Sequence, residues 1–184
     1  MLVVAEREQL PVREARSGNA DAWEALFRRY QLPLYVYVYE LVHDEQASLD
    51  IVQETFIAAA RQIAGLREDH RFGGWLFSIA HQKCIQRWRK QGRETALHED
   101  LAVAMEELEP APDDLLLRQE QREELMSLLN QLPRVQRSVL LLHFLEEFSL
   151  EEISNITGAT LGTVKSRLHY ARKALKKLIE HTEL

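Results

Sequence analysis

Apolar residues recur at every third or fourth position along most of the chain, which is the spacing of amphipathic α-helices. The first such series consists of Trp23, Leu26, Phe27, Tyr30 and Leu34. Asp21 precedes this series and, with Glu24 three positions later, has the form of a capping box. The pattern predicts a first long helix from about Asp21 to Val42, in which Pro33 can produce a kink.

A second apolar series begins after Asp44 and repeats at spacings of three and four. Its members are Leu49, Val52, Phe56, Ala59 and Ile63. The residues on the other faces of this segment are Asp50, Gln53, Glu54, Ile57 and Arg61. The second predicted helix is therefore amphipathic and has an acidic outer side.

The stretch "REDHRFGG" interrupts the helical pattern, and "WLFSIAHQKCIQRWRK" restarts it as a third helix that is apolar at its start and basic at its end. The next stretch, "QGRETALHEDLAVAMEELEPAPDD", contains two prolines and no sustained apolar period. We predict a linker here, with a short helix around Leu101 to Leu108.

Helical pattern resumes in residues 114–131. Pro133 then occupies the place of a first-turn proline and opens a further helix, "RVQRSVLLLHFLEEF". Ser149 and Glu152 have the form of a second capping box, which predicts a short helix to about Asn155.

The last predicted helix contains "GTVKSRLHYARKALKK" and follows a tight turn at Gly158, with Thr160 as its N-cap. Its apolar side consists of Val164, Leu168, Ala171, Leu175 and Leu178. A short capped helix, a glycine turn and a second helix with a polar, basic start form a helix-turn-helix arrangement. The second helix of such a pair fits the major groove of DNA. The alternative is a solvated basic surface helix.

Strand alternation is absent from the sequence, so the predicted class is all-α, with helical domains at 1–92 and 121–184 joined by a linker at 93–120. The 184-residue chain has a net charge of -6. The linker has a net charge of -7, whereas the two domains have 0 and +1. Trp75 to Arg93 and Gly158 to Ile179 contain bases and no acid. This distribution favours contact between the domains and nucleic acid.

Membrane and enzyme classes find little support in the sequence. Apolar runs of about 18 residues and a signal-peptide pattern are absent, which predicts a soluble, cytoplasmic protein without membrane insertion. Cys84 is the single cysteine, so an intramolecular disulfide is excluded. His81 lies three residues before it, but no clustered ligands follow, and we read the pair as a buried cysteine beside a surface histidine. We expect no catalytic residue, no metal and no cofactor, since a phosphate-binding glycine loop is also absent.

Several motifs, taken in order, resemble bacterial sigma factors of the extracytoplasmic function group. They are "GNADAWEALFRRY", "LDIVQETFIAAARQI", "FGGWLFSIAHQKCIQRWRK" and "LNQLPRVQRSVLLLHFLEEFSLEEISNITGATLGTVKSRLHYARKAL". The resemblance covers about Gly18 to Leu178 apart from the linker. It implies a region-two and a region-four helical domain in a subunit that binds core RNA polymerase and directs it to promoters.

The resemblance also implies which residues face the polymerase. Asp50, Gln53 and Glu54, with Ile57 beside them, occupy the positions that the family sets against the clamp of the β′ subunit. The family commonly has an acid at the position of Leu49, so this chain departs from the pattern there. Ser48, next to it, is a candidate for phosphorylation that would restore negative charge, with an ordinary helix serine as the alternative.

For the minus-10 promoter element, the resemblance implies a role for "REDHRFGG" and the helix that follows. Opening a duplex requires a pocket for an unstacked base and cations along the single strand. The predicted contacts are His70, Arg71, Phe72, Gln82, Lys83, Gln86, Arg87, Arg89 and Lys90. We expect Trp75 to belong to the core. Gln82 and Gln86 stand where the family commonly has Asn and Asp, so the family's base preference does not carry over.

For the minus-35 element, the resemblance points to the start of the last helix. The predicted contacts are Thr160, Thr163, Lys165, Ser166, Arg167, His169, Tyr170, Arg172 and Lys173. The predicted partners are core RNA polymerase through its β′ clamp and β subunits, promoter DNA, and an anti-sigma protein. The acidic linker is expected either to pass through a basic channel of the polymerase or to act as a solvated tether. The competing hypothesis is a stand-alone helix-turn-helix regulator.

Overall fold

The computed structural model of the chain describes residues 10–91 and 127–182. Every regular element in these two ranges is helical, so the predicted all-α class is confirmed. The helices belong to two compact units, the first centred on residues 10–91 and the second on residues 127–182. The predicted linker, its short helix at 101–108 and most of the predicted helix at 114–131 lie outside the described residues.

The first unit contains four α-helices in its described part. They are α1 (Val12–Arg16), α2 (Ala20–Val42), α3 (Glu45–Gln62) and α4 (Phe72–Gln91). Two short 3-10 turns, Ile63–Gly65 and Asp69–Arg71, connect α3 to α4. The three long helices match the sequence prediction closely, whereas α1 was not predicted.

The caps of α2 and α3 show how side chains set the helix ends. The side chain of Asn19 accepts a hydrogen bond of 3.0 Å from the backbone N–H of Ala22, so Asn19 is the N-cap of α2 and the predicted capping box at Asp21 is wrong. Asp21 instead lies in the first turn, where a carboxylate stabilises the helix dipole. Asp44 caps α3 by accepting from the N–H of Ala47 at 2.9 Å.

Helix α4 begins earlier than the sequence pattern predicted. Both glycines of "REDHRFGG" lie inside α4, and the interruption falls at residues 63–71 instead. A Cβ atom at Gly73 would lie 2.8 Å from the hydroxyl oxygen of Tyr30, so a larger residue here would force the Tyr30 side chain to shift. The glycine thus permits a close approach between α2 and α4.

The core of the first unit lies between α2, α3 and α4. Its largest fully buried side chains include Leu26, Leu34, Tyr37, Phe72, Leu76 and Phe77. Leu49, assigned to the apolar side of α3, is 48% exposed, and Ile51 is buried instead. The inner face also carries Ser48 and Thr55, whose hydroxyls donate to backbone carbonyls four residues earlier. Because these two core positions hold polar residues, the spacing of the apolar residues placed Leu49 on the buried side of the helix by mistake.

The described part of the second unit contains three α-helices. The first and the last pack against each other, and a short helix lies between them in the chain. Its helices are α5 (Arg134–Phe144), α6 (Leu150–Thr157) and α7 (Leu161–Thr182), and residues 127–129 are also helical. Pro133 directly precedes α5. Val139 and Leu142 on α5, Ile153 on α6 and Val164 on α7 are fully buried.

Candidate nucleic-acid interface

The outer face of α3 combines acidic, amide and apolar side chains. Asp50, Gln53 and Glu54 are exposed, as predicted. Leu49 and Ile57 are also exposed, by 48% and 45%. The face that the sequence identified as acidic is therefore amphipathic, a composition suited to a protein partner.

Two ion pairs join this face to α4. The carboxylate of Glu54 lies 2.8 Å from the ammonium nitrogen of Lys83, and the carboxylate of Asp44 lies 2.9 Å from the guanidinium of Arg87. Lys83 and Arg87 were predicted to contact phosphates, and in the free protein both have carboxylate partners on or beside α3. Glu54 was predicted to contact the polymerase and Lys83 to contact DNA, but in the free protein the two side chains are in direct contact with each other.

A row of polar side chains runs along the outer side of α4. Gln82, Gln86 and Arg89 are exposed at spacings of four and three, which places them on one helix face, and Lys90 is exposed beside them. Amide and guanidinium groups in such a row can hydrogen-bond to base edges and phosphates. These four predicted minus-10 residues are available to a nucleic acid.

The turn before α4 exposes two of the predicted DNA contacts and buries the third. The side chains of His70 and Arg71 are exposed, and their nitrogens lie 3.3 Å and 2.9 Å from the carboxylate of Glu68. Phe72 has no exposed surface. Its prediction as a base contact is not supported by this geometry, because its ring packs inside the unit.

Three aromatic neighbours surround the Phe72 ring. Its centroid lies 6.4 Å from that of Trp23, 5.6 Å from that of Tyr30 and 5.8 Å from that of Trp75. Trp75, expected in the core, is half-buried at the edge of this cluster. These aromatic rings pack inside the unit, beneath the turn, and support its conformation.

Asp69, in the same turn, makes contacts with α1 that the sequence did not predict. One carboxylate oxygen accepts from Arg13 Nε at 2.8 Å and the other accepts from an Arg16 guanidinium nitrogen at 2.8 Å. The hydrogen bond from Arg13, assisted by that from Arg16, holds the pKa of Asp69 below its ordinary value. In the sequence, the two arginines lie far from Asp69. Charged residues at such a separation do not indicate which of them form ion pairs.

His81 and Cys84 lie in the core of the first unit. Cys84 is buried as predicted, and burial raises the pKa of its thiol to about 12. His81 was expected on the surface but is buried, with its Nδ1 2.8 Å from the hydroxyl oxygen of Tyr37. Burial also raises the pKa of Tyr37. The described residues contain no cluster of three or more side chains suited to a metal ion.

Ser48 is not accessible to a modifying enzyme in this fold. Its side chain is fully buried, and its hydroxyl donates to the carbonyl of Asp44 at 2.7 Å. Phosphorylation of Ser48 would require the start of α3 to open. The structure therefore favours the alternative of an ordinary helix serine.

The helix-turn-helix geometry of the second unit follows the predicted caps. The N–H of Ser149 donates to the Glu152 carboxylate at 2.9 Å, and the N–H of Glu152 donates to the Ser149 hydroxyl at 3.2 Å, which confirms the capping box. Gly158 has a φ of 69° in the turn. Thr160 caps α7 by accepting from the N–H of Thr163 at 3.2 Å.

Helix α7 presents polar and basic groups at its start. Val164, Leu168 and Ala171 are buried, which confirms the first part of the predicted apolar side. Thr160, Lys165 and Lys173 are exposed. The other predicted minus-35 contacts are half-buried: Thr163, Ser166, Arg167, His169, Tyr170 and Arg172.

Arg172 and His169 have aromatic neighbours. The guanidinium of Arg172 lies 5.1 Å from the ring centroid of Phe144 on α5, and the His169 and Tyr170 rings meet edge-on at 5.2 Å. Arg172 is therefore held against α5, and the cationic groups nearest the helix start are Lys165 and Arg167.

Comparison with known proteins agrees with this geometry. The family model described as Sigma-70 region 2 matches residues 26–94, and the model described as Sigma-70, region 4 matches residues 122–175. The RNA polymerase sigma factor YlaC of Bacillus subtilis is 32% identical, with 86% of this chain and 92% of the relative covered. The chain belongs to the extracytoplasmic function group of the sigma-70 family.

Other relatives of this sigma factor cover nearly the whole chain. The RNA polymerase sigma-H factor of Pseudomonas aeruginosa is 29% identical over 97% of both chains. The ECF RNA polymerase sigma factor SigW of Bacillus subtilis is also 29% identical, over 90% of this chain and 93% of the relative.

Two solved structures share the fold. The sigma factor RpoE in complex with the anti-sigma factor NepR from Bartonella quintana has a TM-score of 0.63 and 25% identity, with 85% of this chain and 98% of that chain covered. CnrH in complex with the cytosolic domain of CnrY has a TM-score of 0.67 and 23% identity, with 94% and 97% covered.

The chain is thus a sigma factor, which binds core RNA polymerase and directs it to promoter DNA, and not a stand-alone regulator. None of the helices in residues 10–91 and 127–182 is both long and apolar enough to cross a membrane.

Proposed function

We propose that the outer face of α3 is the part of this sigma factor that docks on the β′ clamp of core RNA polymerase. The docking surface consists of Asp50, Gln53, Glu54 and Ile57, with Leu49 at its edge. The carboxylates attract a basic partner helix, and the two exposed apolar side chains lose water on contact. Leu49 thus contributes apolar contact where the family has an acid.

The minus-10 element contacts the exposed turn before α4 and the outer row of that helix. His70 and Arg71 face the unstacked bases, while Gln82 and Gln86 form hydrogen bonds to base edges. Arg89 and Lys90 hold the phosphates of the strand. Phe72 stabilises the turn from inside the unit.

Lys83 and Arg87 contribute to the same surface in a different way. Each must exchange a carboxylate for a phosphate in order to contact DNA, because each is ion-paired in the free protein. Their net contribution to binding is accordingly smaller than that of an unpaired cation.

The minus-35 element is held by the start of α7. Lys165 and Arg167 supply the main cationic contacts, and Thr160, Thr163 and Ser166 supply short hydroxyls. His169, Tyr170 and Lys173 extend the surface along the helix, with Arg172 held beside it.

The contact between α3 and α4 is the observation that supports assigning polymerase docking to α3 and minus-10 contact to α4. Glu54 on the docking surface touches Lys83 on the DNA surface, so one packed unit holds both surfaces in a fixed relation. Polymerase docking through α3 therefore orients α4 toward the promoter.

Further partners follow from the solved structures and from the composition. The described complex of RpoE with NepR supports an anti-sigma protein as an inhibitor of this chain as well. The acidic segment at 93–120 is suited to a basic channel of the polymerase. Because the polymerase is the partner, the site of action is the cytoplasm, and no catalytic step belongs to the chain itself.

The docking surface is tested by competition binding to core RNA polymerase. The double variant Asp50→Ala/Ile57→Ala should weaken binding by about tenfold, since central apolar and charged contacts dominate interfaces. Leu32→Ala is the matched control, because Leu32 is 57% exposed but lies on α2. Equal loss in both variants would contradict the assignment to α3.

Promoter direction is tested by run-off transcription with purified core polymerase. A duplex library with randomised minus-35 and minus-10 segments supplies the template, so no promoter needs to be known in advance. The wild-type holoenzyme should select a preferred sequence in both segments. Selection in neither segment would contradict the proposed DNA surfaces.

A further inference from the structure

The segment that joins α3 to α4 has little backbone hydrogen bonding of its own, and Glu68 pairs within it with His70 and Arg71. In residues 63–71 it forms two short 3-10 turns, each closed by a backbone hydrogen bond of 3.0 Å, from Leu66 to Ile63 and from Arg71 to Glu68. Turns of this length are too short to be stable alone. The conformation of the segment therefore depends on contacts with the rest of the unit.

Helix α1 provides three side-chain hydrogen bonds to the segment. Arg16 donates to the carbonyl of Leu66 at 2.8 Å and to the carboxylate of Asp69 at 2.8 Å, so one guanidinium group connects the end of the first 3-10 turn to the start of the second. Arg13 adds a third hydrogen bond, again to Asp69 at 2.8 Å. Charge-assisted hydrogen bonds of this length are the strong class.

Helix α1 is itself fixed to the body of the unit. Val12 and Ala15 are buried, and the indole N–H of Trp23 on α2 donates to the carbonyl of Ala15 at 2.9 Å. The Trp23 ring also meets the ring of Phe72, the first residue of α4. The α1 arginines thus connect the segment to a rigid support.

The segment lies immediately next to the proposed DNA contacts. His70 and Arg71 directly follow Asp69, and both are exposed. Side chains that must receive an unstacked base bind it better when their backbone is ordered before binding, because less conformational entropy is then lost.

We propose that Arg16 and Arg13 are positioning residues for the minus-10 element: through Asp69 and the Leu66 carbonyl, they hold the turn in the conformation that presents His70 and Arg71 to DNA. This inference rests on the proposed minus-10 surface and adds α1 to it. The arginines act through the turn and need not contact DNA themselves.

The test compares holoenzymes formed from full-length variants and core polymerase. Asp69→Asn removes the charge with almost no change in shape, Arg16→Ala removes two hydrogen bonds, and Arg16→Lys keeps the charge. The matched controls are Glu24→Gln and Arg28→Ala, since these residues form an exposed ion pair on α2 away from the turn. Thermal unfolding identifies the folded variants.

Three readouts are measured for each variant. They are the affinity for core polymerase, the rate of open-complex formation on the duplex promoter that the wild type selects, and the base preference at every position of the randomised library. A purely structural defect would alter all three readouts together. A positioning defect would slow open-complex formation and change base preference in the minus-10 segment only, while the affinity for core polymerase stays the same.

We expect Asp69→Asn and Arg16→Ala to slow open-complex formation by about tenfold, as lost charge-assisted hydrogen bonds predict. Base preference should weaken in the minus-10 segment and stay unchanged in the minus-35 segment. Arg16→Lys should recover part of the rate, and the α2 controls should match the wild type. If Arg16→Ala does not fold, Asp69→Asn still decides the question.

Two results would overturn the inference. One is a folded Asp69→Asn variant with the wild-type rate and minus-10 preference. The other is an equal weakening of preference in both promoter segments or a matching loss of polymerase affinity. Failure of the proposed function is distinguishable, because in that case the wild-type holoenzyme itself shows no minus-10 preference.

Discussion

Two cations on α4, Lys83 and Arg87, and two on α7, Lys165 and Arg167, were all predicted to contact DNA. Their electrostatic surroundings in the free protein differ. Lys83 and Arg87 on α4 are ion-paired with carboxylates in the free protein. For Lys165 and Arg167 on α7, no carboxylate lies within ion-pair distance among the residues that the structure describes. DNA must therefore displace an existing partner to reach Lys83 and Arg87, whereas Lys165 and Arg167 have no carboxylate partner within the part of the chain that the structure describes.

This difference bears on how each domain contributes to promoter binding. Cations without protein partners release counterions from DNA and make binding steeply dependent on salt. Cations that exchange one anion for another gain little net energy and mainly fix geometry. We expect Lys165 and Arg167 to contribute more to the affinity for DNA than Lys83 and Arg87 do.

The largest effect is expected at the start of α7. Lys165→Ala/Arg167→Ala should weaken holoenzyme binding to the selected promoter by about 30-fold, from two contacts of roughly 1 kcal/mol each. The slope of log affinity against log salt should fall by about 1.8, because two phosphate contacts are lost. Filter binding over a salt series measures both quantities.

The matched control for this variant is Lys177→Ala, an exposed lysine further along α7. It should leave affinity and slope near the wild type. Reduced affinity for core polymerase in Lys165→Ala/Arg167→Ala would contradict the assignment, because these residues are placed on the DNA surface alone.

A smaller effect is expected for the paired cations of α4. Lys83→Ala/Arg87→Ala should weaken promoter binding by about threefold or less, with a salt slope that changes by less than in the α7 variant, because each lost DNA contact replaces an internal ion pair. The same filter-binding series tests this. A slope change as large as that of the α7 variant would remove the difference between the two helices.

The prediction from sequence succeeded where the signals are local. The second capping box, the turn at Gly158 and the cap at Thr160 all depend on residues within five positions of one another, and each was confirmed. The exposure of Asp50, Gln53 and Glu54 on α3 and the burial of Val164, Leu168 and Ala171 on α7 also followed from helical spacing. Short-range hydrogen bonding and periodicity can be read from one sequence.

The prediction failed where the deciding contact is distant. Arg16 and Asp69 are 53 positions apart, and the three rings around Phe72 come from α2 and α4. Leu49 was assigned to the core in place of Ile51 because Ser48 and Thr55, with their hydroxyls bonded to the backbone, occupy core positions. Packing between helices decided the first two cases, and in the third a local hydroxyl-to-carbonyl hydrogen bond lets a polar residue face the core.

The smallest effect concerns the acid stability of the first unit. The pKa of Asp69 is lowered by its arginine partners, so its contribution to the free energy of folding is present at neutral pH and is lost as the pH falls through the lowered value. Asp69→Asn should therefore lower stability at neutral pH, and the difference from the wild type should shrink toward acid pH. Thermal unfolding from neutral to acid pH measures it, and a constant difference would contradict the ion-pair explanation.

The central claim is that α4 selects the minus-10 element and α7 binds the minus-35 element within one holoenzyme. The most direct measurement is the base preference of each holoenzyme across the randomised duplex library. Gln82→Ala/Gln86→Ala should change preference in the minus-10 segment alone. Lys165→Ala/Arg167→Ala should weaken binding to all library sequences alike and leave the minus-10 preference unchanged, because the two lost contacts are to phosphates. If either variant alters the other segment, or if both alter the same one, the assignment of the two helices is contradicted.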